Sequence, residues 1–261
     1  MTPYPYKQLV LPDNVPFAYV DEGSGSPLVM LHGFTGTAHR HFAALIQEFR
    51  SEYRVLAPDL RGYGASRPPP REFPPDFIER DADDVGTLLD QLDCPPAVVL
   101  GFSDGGESAL ILAAKRPDLV RGLVVWGTFG QLPPAALQWL NSLLPVESWG
   151  PDLDGWRRSI IEHHGQEQWP ALITQYVESV RRLAASGWDL PLQHARSITC
   201  PVLQLHGEME QRANPYEAAN LAATIPHCRM EIIPGAEHSL QFEKPDHLAK
   251  LIRSFIGGLG S

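Results

Sequence analysis

The chain has 261 residues, enough for one large α/β domain with a full core or for two small ones. Its formal charge of −10 argues against a nucleic-acid surface, because phosphate binding needs clustered lysine and arginine. No apolar run approaches a membrane span, and MTPYPYKQLV at the start has neither the basic nor the apolar part of a secretory signal, so neither a membrane nor export is expected.

In chain order, strand-like runs fall at 8–11, 17–21, 28–32, 54–57, 97–102, 119–126, 202–206 and 229–233. Helix-like runs at 38–49, 76–92, 104–115, 215–225 and 245–256 fall between or after them. EGSGSP at 22–27 reads as a turn, Asp76 as a helix N-cap and Pro215 as a first-turn proline. The runs PLVML, AVVL and GLVVW are apolar at every position, which is the pattern of strands covered by helices on both sides. The alternation predicts an α/β fold with a mostly parallel sheet and crossover helices.

One stretch breaks the alternation. Residues 130–195 contain no strand-like run; helical patterns appear at 134–144, 156–163 and 169–185. Trp139, Trp149, Trp156, Trp169 and Trp188 all lie here, and each serves packing as readily as ligand contact. A helical insertion at this place predicts a lid above the C-terminal ends of the strands. The expected division is a core of 1–129 and 196–261 with a lid of 130–195.

The chemistry is concentrated in VVLGFSDGGESAL, residues 98–110. Gly101-Phe102-Ser103-Asp104-Gly105 matches G-x-S-x-G between a buried strand and a helix, the setting that lifts a serine hydroxyl onto a sharp turn. Its flanking positions must be tiny, and the following helix directs its positive end at developing negative charge. A serine hydroxyl needs a base, and the chain order serine, acid, histidine directs attention downstream. His238, in IIPGAEHSL after the last strand, is the candidate. His32 and His206 end strands and read as structural, whereas His163 and His164 resemble a solvated helix end. The acid that would orient His238 is Glu210 or Glu208, in the loop GEMEQRANP after the seventh strand, with Glu210 preferred. Two backbone N–H groups for an oxyanion are expected from Asp104 and from Phe34 in HGFTG. No histidine or cysteine spacing suggests zinc, and neither cofactor nor metal is expected. Three widely spaced cysteines, Cys94, Cys200 and Cys228, fit reduced thiols and a cytoplasmic location.

LHGFTG at 31–36, PDLRGYGAS at 58–66, GFSDGG at 101–106, HGEME at 206–210 and PGAEHS at 234–239 occur in order. Together they resemble the α/β-hydrolase superfamily over nearly the whole chain. SDGG followed by ALILAAKRPDLVRGLVVWG is most similar to the biphenyl-hydrolase-like branch. That resemblance implies an eight-stranded, mostly parallel sheet and a serine hydrolase acting on small esters, α-amino-acid esters among them. It also implies that the Asp104 carboxylate holds a substrate ammonium; an acid in a helix's first turn equally satisfies the helix dipole, and Glu107 reads the same way. The departure is at the triad acid, where the family has Asp and this chain has Glu210. C–C bond hydrolysis, lactone opening and perhydrolysis run on the same constellation, and a ligand receptor that has lost catalysis is the reading of another class. The expected partner is a small-molecule ester; oligomeric state is not legible.

Overall fold

The computed structural model describes residues 4–260. Eight strands form one sheet: β1 (Tyr6–Val10), β2 (Pro16–Glu22), β3 (Pro27–Leu31), β4 (Arg54–Pro58), β5 (Ala97–Phe102), β6 (Val120–Trp126), β7 (Val202–Gly207) and β8 (Cys228–Ile233). Their order is β1-β2-β4-β3-β5-β6-β7-β8. Every pairing from β4 to β8 is parallel; β1 with β2 and β2 with β4 are antiparallel. Each predicted strand forms, its ends within a residue or two of the expected ones.

Alternation along the central strands divides the core into two layers. Val29, Leu31, Val99, Leu123 and Val125 face one layer; Leu28, Met30, Val98, Leu100, Val124 and Trp126 face the other. Helices α2 (Phe77–Gln91) and α3 (Asp104–Lys115) cover the first, and α1 (Ala38–Phe49) and α10 (Pro245–Gly258) the second. Burial of each such side chain contributes roughly 1.5–3 kcal/mol. Trp126 is fully buried, and its indole N–H donates to Gln241 Oε1 at 2.7 Å, so its one polar atom is satisfied. Asp76 sits at the N-cap of α2 without the expected side-chain hydrogen bond. Asn214 caps α8 (Pro215–Thr224) instead, reciprocally with Glu217.

Between β6 and β7 the chain forms α4 (Pro134–Ser142), α5 (Pro151–His164), α6 (Trp169–Ala185) and α7 (Leu190–Ala195). Helix α5 starts five residues before the expected 156, because Pro151 takes its first turn after Gly150. The short α7 and α9 (Leu240–Glu243) were not expected from the pattern; each is too brief to show a helical period. Among the described residues, no helix is long and apolar enough to cross a membrane.

Candidate active site

Ser103 ends β5 and opens α3. Its backbone angles, φ 55° and ψ −126°, are strained for a residue with a side chain. The surroundings over-determine that conformation. Ser103 N–H donates to the Trp126 carbonyl at 2.9 Å, and its carbonyl accepts from Gly106 N at 2.8 Å and Glu107 N at 3.1 Å. A Cβ on Gly101 would lie 2.5 Å from Gly106 Cα, and one on Gly105 2.2 Å from the Leu31 carbonyl oxygen. The turn is therefore closed by contacts that only glycine allows on both sides.

His238 lies between β8 and α9, only 9% exposed. Its Nδ1–H donates to Glu210 Oε2, while Glu210 Oε1 accepts from Arg212 N–H at 2.9 Å. Glu208 is turned away, accepting from Gly235 N–H at 2.9 Å. Burial holds the imidazole below its usual pKa, against the hydrogen bond to Glu210; the charge of Arg212 adds to the lowering. Burial pushes the Glu210 carboxyl up, but the bonds from His238 and Arg212 N–H outweigh it and leave the pKa low. A neutral imidazole beside an ionised carboxylate is the state in which Nε2 can accept a proton. Ser103 and His238 line one cavity of about 280 Å³, with no hydrogen bond between their side chains among the described residues.

Phe34 and Asp104 also line this cavity. Neither N–H donates to another residue among those described. The loop carrying Phe34 is held from the insertion. Trp156 Nε1–H donates to Thr35 Oγ1 at 2.9 Å, and His164 Nε2–H donates to the Thr35 carbonyl at 3.0 Å. His164 Nδ1 accepts from Gly64 N–H at 3.1 Å. This histidine is fully buried, with its pKa pushed by burial to about 4, so it is a neutral tie and not the solvated helix end expected from sequence. His163 at the same end is part-exposed and bonds the Ser159 carbonyl. His32 is structural in a similar way: Nε2 accepts from Leu60 N–H and Nδ1–H donates to Gly33.

The cavity has an acidic wall. The Asp104 carboxylate accepts from Tyr176 Oη–H at 2.9 Å, and the Tyr176 ring stacks on Phe34 with centroids 3.7 Å apart. Burial raises the Asp104 pKa to about 6, opposed by Tyr176 and by the positive charge of Arg71. One turn on, Glu107 is 7% exposed and faces the same cavity. Burial and then the neighbouring Asp104 charge push its pKa well above the usual range. Glu107 is thus a buried acid in the pocket, where the sequence suggested only an acid that satisfies the helix dipole. A glutamate inside the otherwise small and apolar run GGESALILAA was a readable sign of this. Tyr176 and the cavity arginines Arg40 and Arg212 left no such sign, because a helix of the insertion, α1 and the loop after β7 meet at the cavity only in the fold.

The sequence model of the alpha/beta hydrolase family matches residues 28–251. The serine hydrolase BPHL of Mus musculus is 29% identical over 239 residues, covering 91% of this chain and 81% of that protein. The same protein of Homo sapiens is 28% identical over 247 residues, covering 94% and 84%. Among solved structures, a meta-cleavage product hydrolase from Pseudomonas fluorescens IP01 superposes with a TM-score of 0.78 at 21% identity, covering 97% of this chain and 98% of its own. That last likeness is one of fold. With a family match over residues 28–251, on a sheet of this order, the chain belongs to the alpha/beta hydrolase family and is a hydrolase.

Proposed function

We propose that this hydrolase cleaves small carboxylic esters through an acyl-enzyme on Ser103, with His238 as base and then acid and Glu210 as its orienting partner. The observation that carries the reading is the Glu210–His238 pair facing the cavity into which the strained Ser103 turn opens. Ser103 Oγ attacks the ester carbonyl as His238 Nε2 takes its proton. The tetrahedral oxyanion is held by Phe34 and Asp104 N–H groups, each worth roughly 3–4 kcal/mol if lost. His238 returns the proton to the departing alcohol, and water then repeats the sequence on the acyl group. The hydrogen bond from Ser103 to His238 forms as substrate packs against the turn, since such contacts commonly tighten only in the complex.

The acyl half carries an α-ammonium in this reading, placed against the Asp104 carboxylate. The amine lies two bonds from the carbonyl carbon, so a receiving carboxylate must be next to the nucleophile, where Asp104 is. The buried Glu107 lies on the same wall; burial and the Asp104 charge hold its carboxyl protonated, so it offers the ligand a hydrogen bond and leaves the negative charge to Asp104. The partner is a small-molecule ester, not a nucleic acid or a membrane, and three free cysteines favour a cytoplasmic setting.

A fluorophosphonate probe tests the assignment. It should label Ser103 stoichiometrically, and His238→Ala should abolish labelling. A protein inert to the probe, or labelled elsewhere with Ser103 unmodified, would be a binding protein or use other chemistry.

A further inference from the structure

The acidic wall is one pole of the cavity. The other is less expected in a chain with a net charge of −10. Most buried or half-buried arginines here are matched to acids: Arg71 with Asp81, Arg61 with Asp84, Arg54 with Asp21. Two arginines line the cavity, Arg40 and Arg212, and among the described residues neither makes an ion pair.

Arg212 lies over the Trp139 ring at 3.9 Å, and Arg40 over the Phe242 ring at 4.5 Å. Stacking of this kind satisfies the face of a guanidinium and leaves its in-plane N–H donors free for an oxyanion. Arg40 uses Nε–H on Ser159 Oγ at 2.7 Å. The side chain of Arg212 donates to no acceptor among the described residues; only its backbone N–H is engaged, on Glu210. The acids whose charge reaches Arg212 are Glu210, Glu237 and Glu243. Glu210 is bonded to His238, and Glu243 accepts from the backbone of Glu237 and Ser239. Arg212 is half-buried and, among the described residues, has no ion pair of its own, so its side-chain donors are open to an anion that arrives with the ligand.

The position identifies which half of the ligand. Arg212 lies near His238, and both line a second, outer pocket of about 430 Å³ along with Trp139 and Glu237. His238 is the group that hands the proton to the leaving alcohol, so the alcohol must pass it. Arg40 lies over Phe242 in α9, the short helix that follows His238. We propose that the alcohol half of the substrate carries a carboxylate or phosphate, held by Arg212 with Arg40 as a second cation lining the same cavity. With an ammonium on the acyl half, the substrate is then dipolar, with its cation toward α3 and its anion toward the loop after β7. This rests on the ester-hydrolase reading above and goes beyond it by assigning the leaving group.

The test is a set of phenyl esters of one acyl group, differing only at the para position: carboxamide, carboxylate or phosphate. The wild-type protein should favour at least one anionic ester over the carboxamide by about tenfold in kcat/KM. This preference runs against the overall negative charge, and against the poorer leaving ability of an anionic phenol. The two anionic arms show which oxyanion fits. Arg212→Gln should bring the ratio close to one, Arg212→Lys should keep part of it, and Arg40→Gln should lower it less. The ratio is read within each variant, so a general loss from disturbing Glu210 cancels. Rising salt should shrink the wild-type preference. Turnover of all esters with a ratio at or below one, or a ratio unmoved by both Arg212→Gln and Arg40→Gln, overturns this proposal alone. Absence of turnover with every ester overturns the ester-hydrolase reading and this proposal together.

Discussion

The turn around Ser103 and the insertion that lines the same cavity are built on different principles. The turn is held by backbone: main-chain hydrogen bonds to Trp126, Gly106 and Glu107, and glycines with no room for a Cβ. The insertion is held by side chains. Trp156 and His164 reach Thr35, Tyr176 reaches Asp104, and Arg40 reaches Ser159. Backbone geometry is indifferent to most substitutions outside the glycines, whereas each tie of the insertion depends on one residue. The difference teaches that the turn and the insertion can vary at separate rates, the first nearly fixed and the second adjustable residue by residue.

Substitutions on the two sides should separate sharply in size. Ser103→Ala should lower ester turnover by about 10⁴–10⁶-fold with the melting temperature kept, because the turn is held by main-chain contacts. Glu210→Gln keeps the shape and removes the charge facing His238; a loss of about 10²–10⁴-fold in kcat is expected in the same assay. A loss below tenfold would mean the loop, not the charge, orients the imidazole. Asp104→Asn belongs to both regions. It should lower kcat/KM for α-amino-acid esters about tenfold more than for matched uncharged esters, the size of a charge-assisted hydrogen bond. Equal losses would remove Asp104 as the ammonium partner. Tyr176→Phe takes away one tie of the insertion, and should cost about 1 kcal/mol of stability by denaturant titration and less than tenfold in turnover of an uncharged ester.

The pH profile sharpens the same contrast with the smallest effects. His238 must be neutral to accept a proton, and burial holds its pKa below 6.5. Turnover of an uncharged ester should therefore rise with pH up to a midpoint below that value and be flat above it. Burial raises the Asp104 pKa to about 6, with Tyr176 and Arg71 opposing and Asp81 adding to the rise; Glu107 is its other acidic neighbour. Preference for an amino ester over its uncharged match needs the Asp104 carboxylate, so it should grow as pH passes about 6 and fade below. A preference flat from pH 5 to 8 would remove that dependence.

The core was legible because its signals are local. Runs such as AVVL and PLVML are short, apolar on both faces and bounded by turn residues, and the strands formed where those patterns placed them. The corner at Ser103 was legible for a similar reason: two glycines and a serine at fixed offsets encode one backbone shape. The helices at 134–144 and 169–185 were also readable from period, yet their packing was not. A helical repeat shows which residues share a face, but not which loop that face meets. So the burial of His164 against Thr35 and the contact of Tyr176 with Phe34 and Asp104 appeared only with the fold. Glu208 and Glu210 illustrate the limit most closely. They are two residues apart in one loop, and a single loop conformation sends one to Gly235 and the other to His238.

Tyr176 has a consequence for protein engineering. One phenol ring rests on Phe34 while its hydroxyl holds Asp104, so a single helix of the insertion touches both residues whose N–H groups would receive the oxyanion. Grafting the segment between β6 and β7 from a homologue should change the cavity lining and, through this ring, also shift the two residues proposed to hold the oxyanion. Chimeras that keep an aromatic hydroxyl at this position should inherit new selectivity at native speed, while those that drop it should trade one for the other.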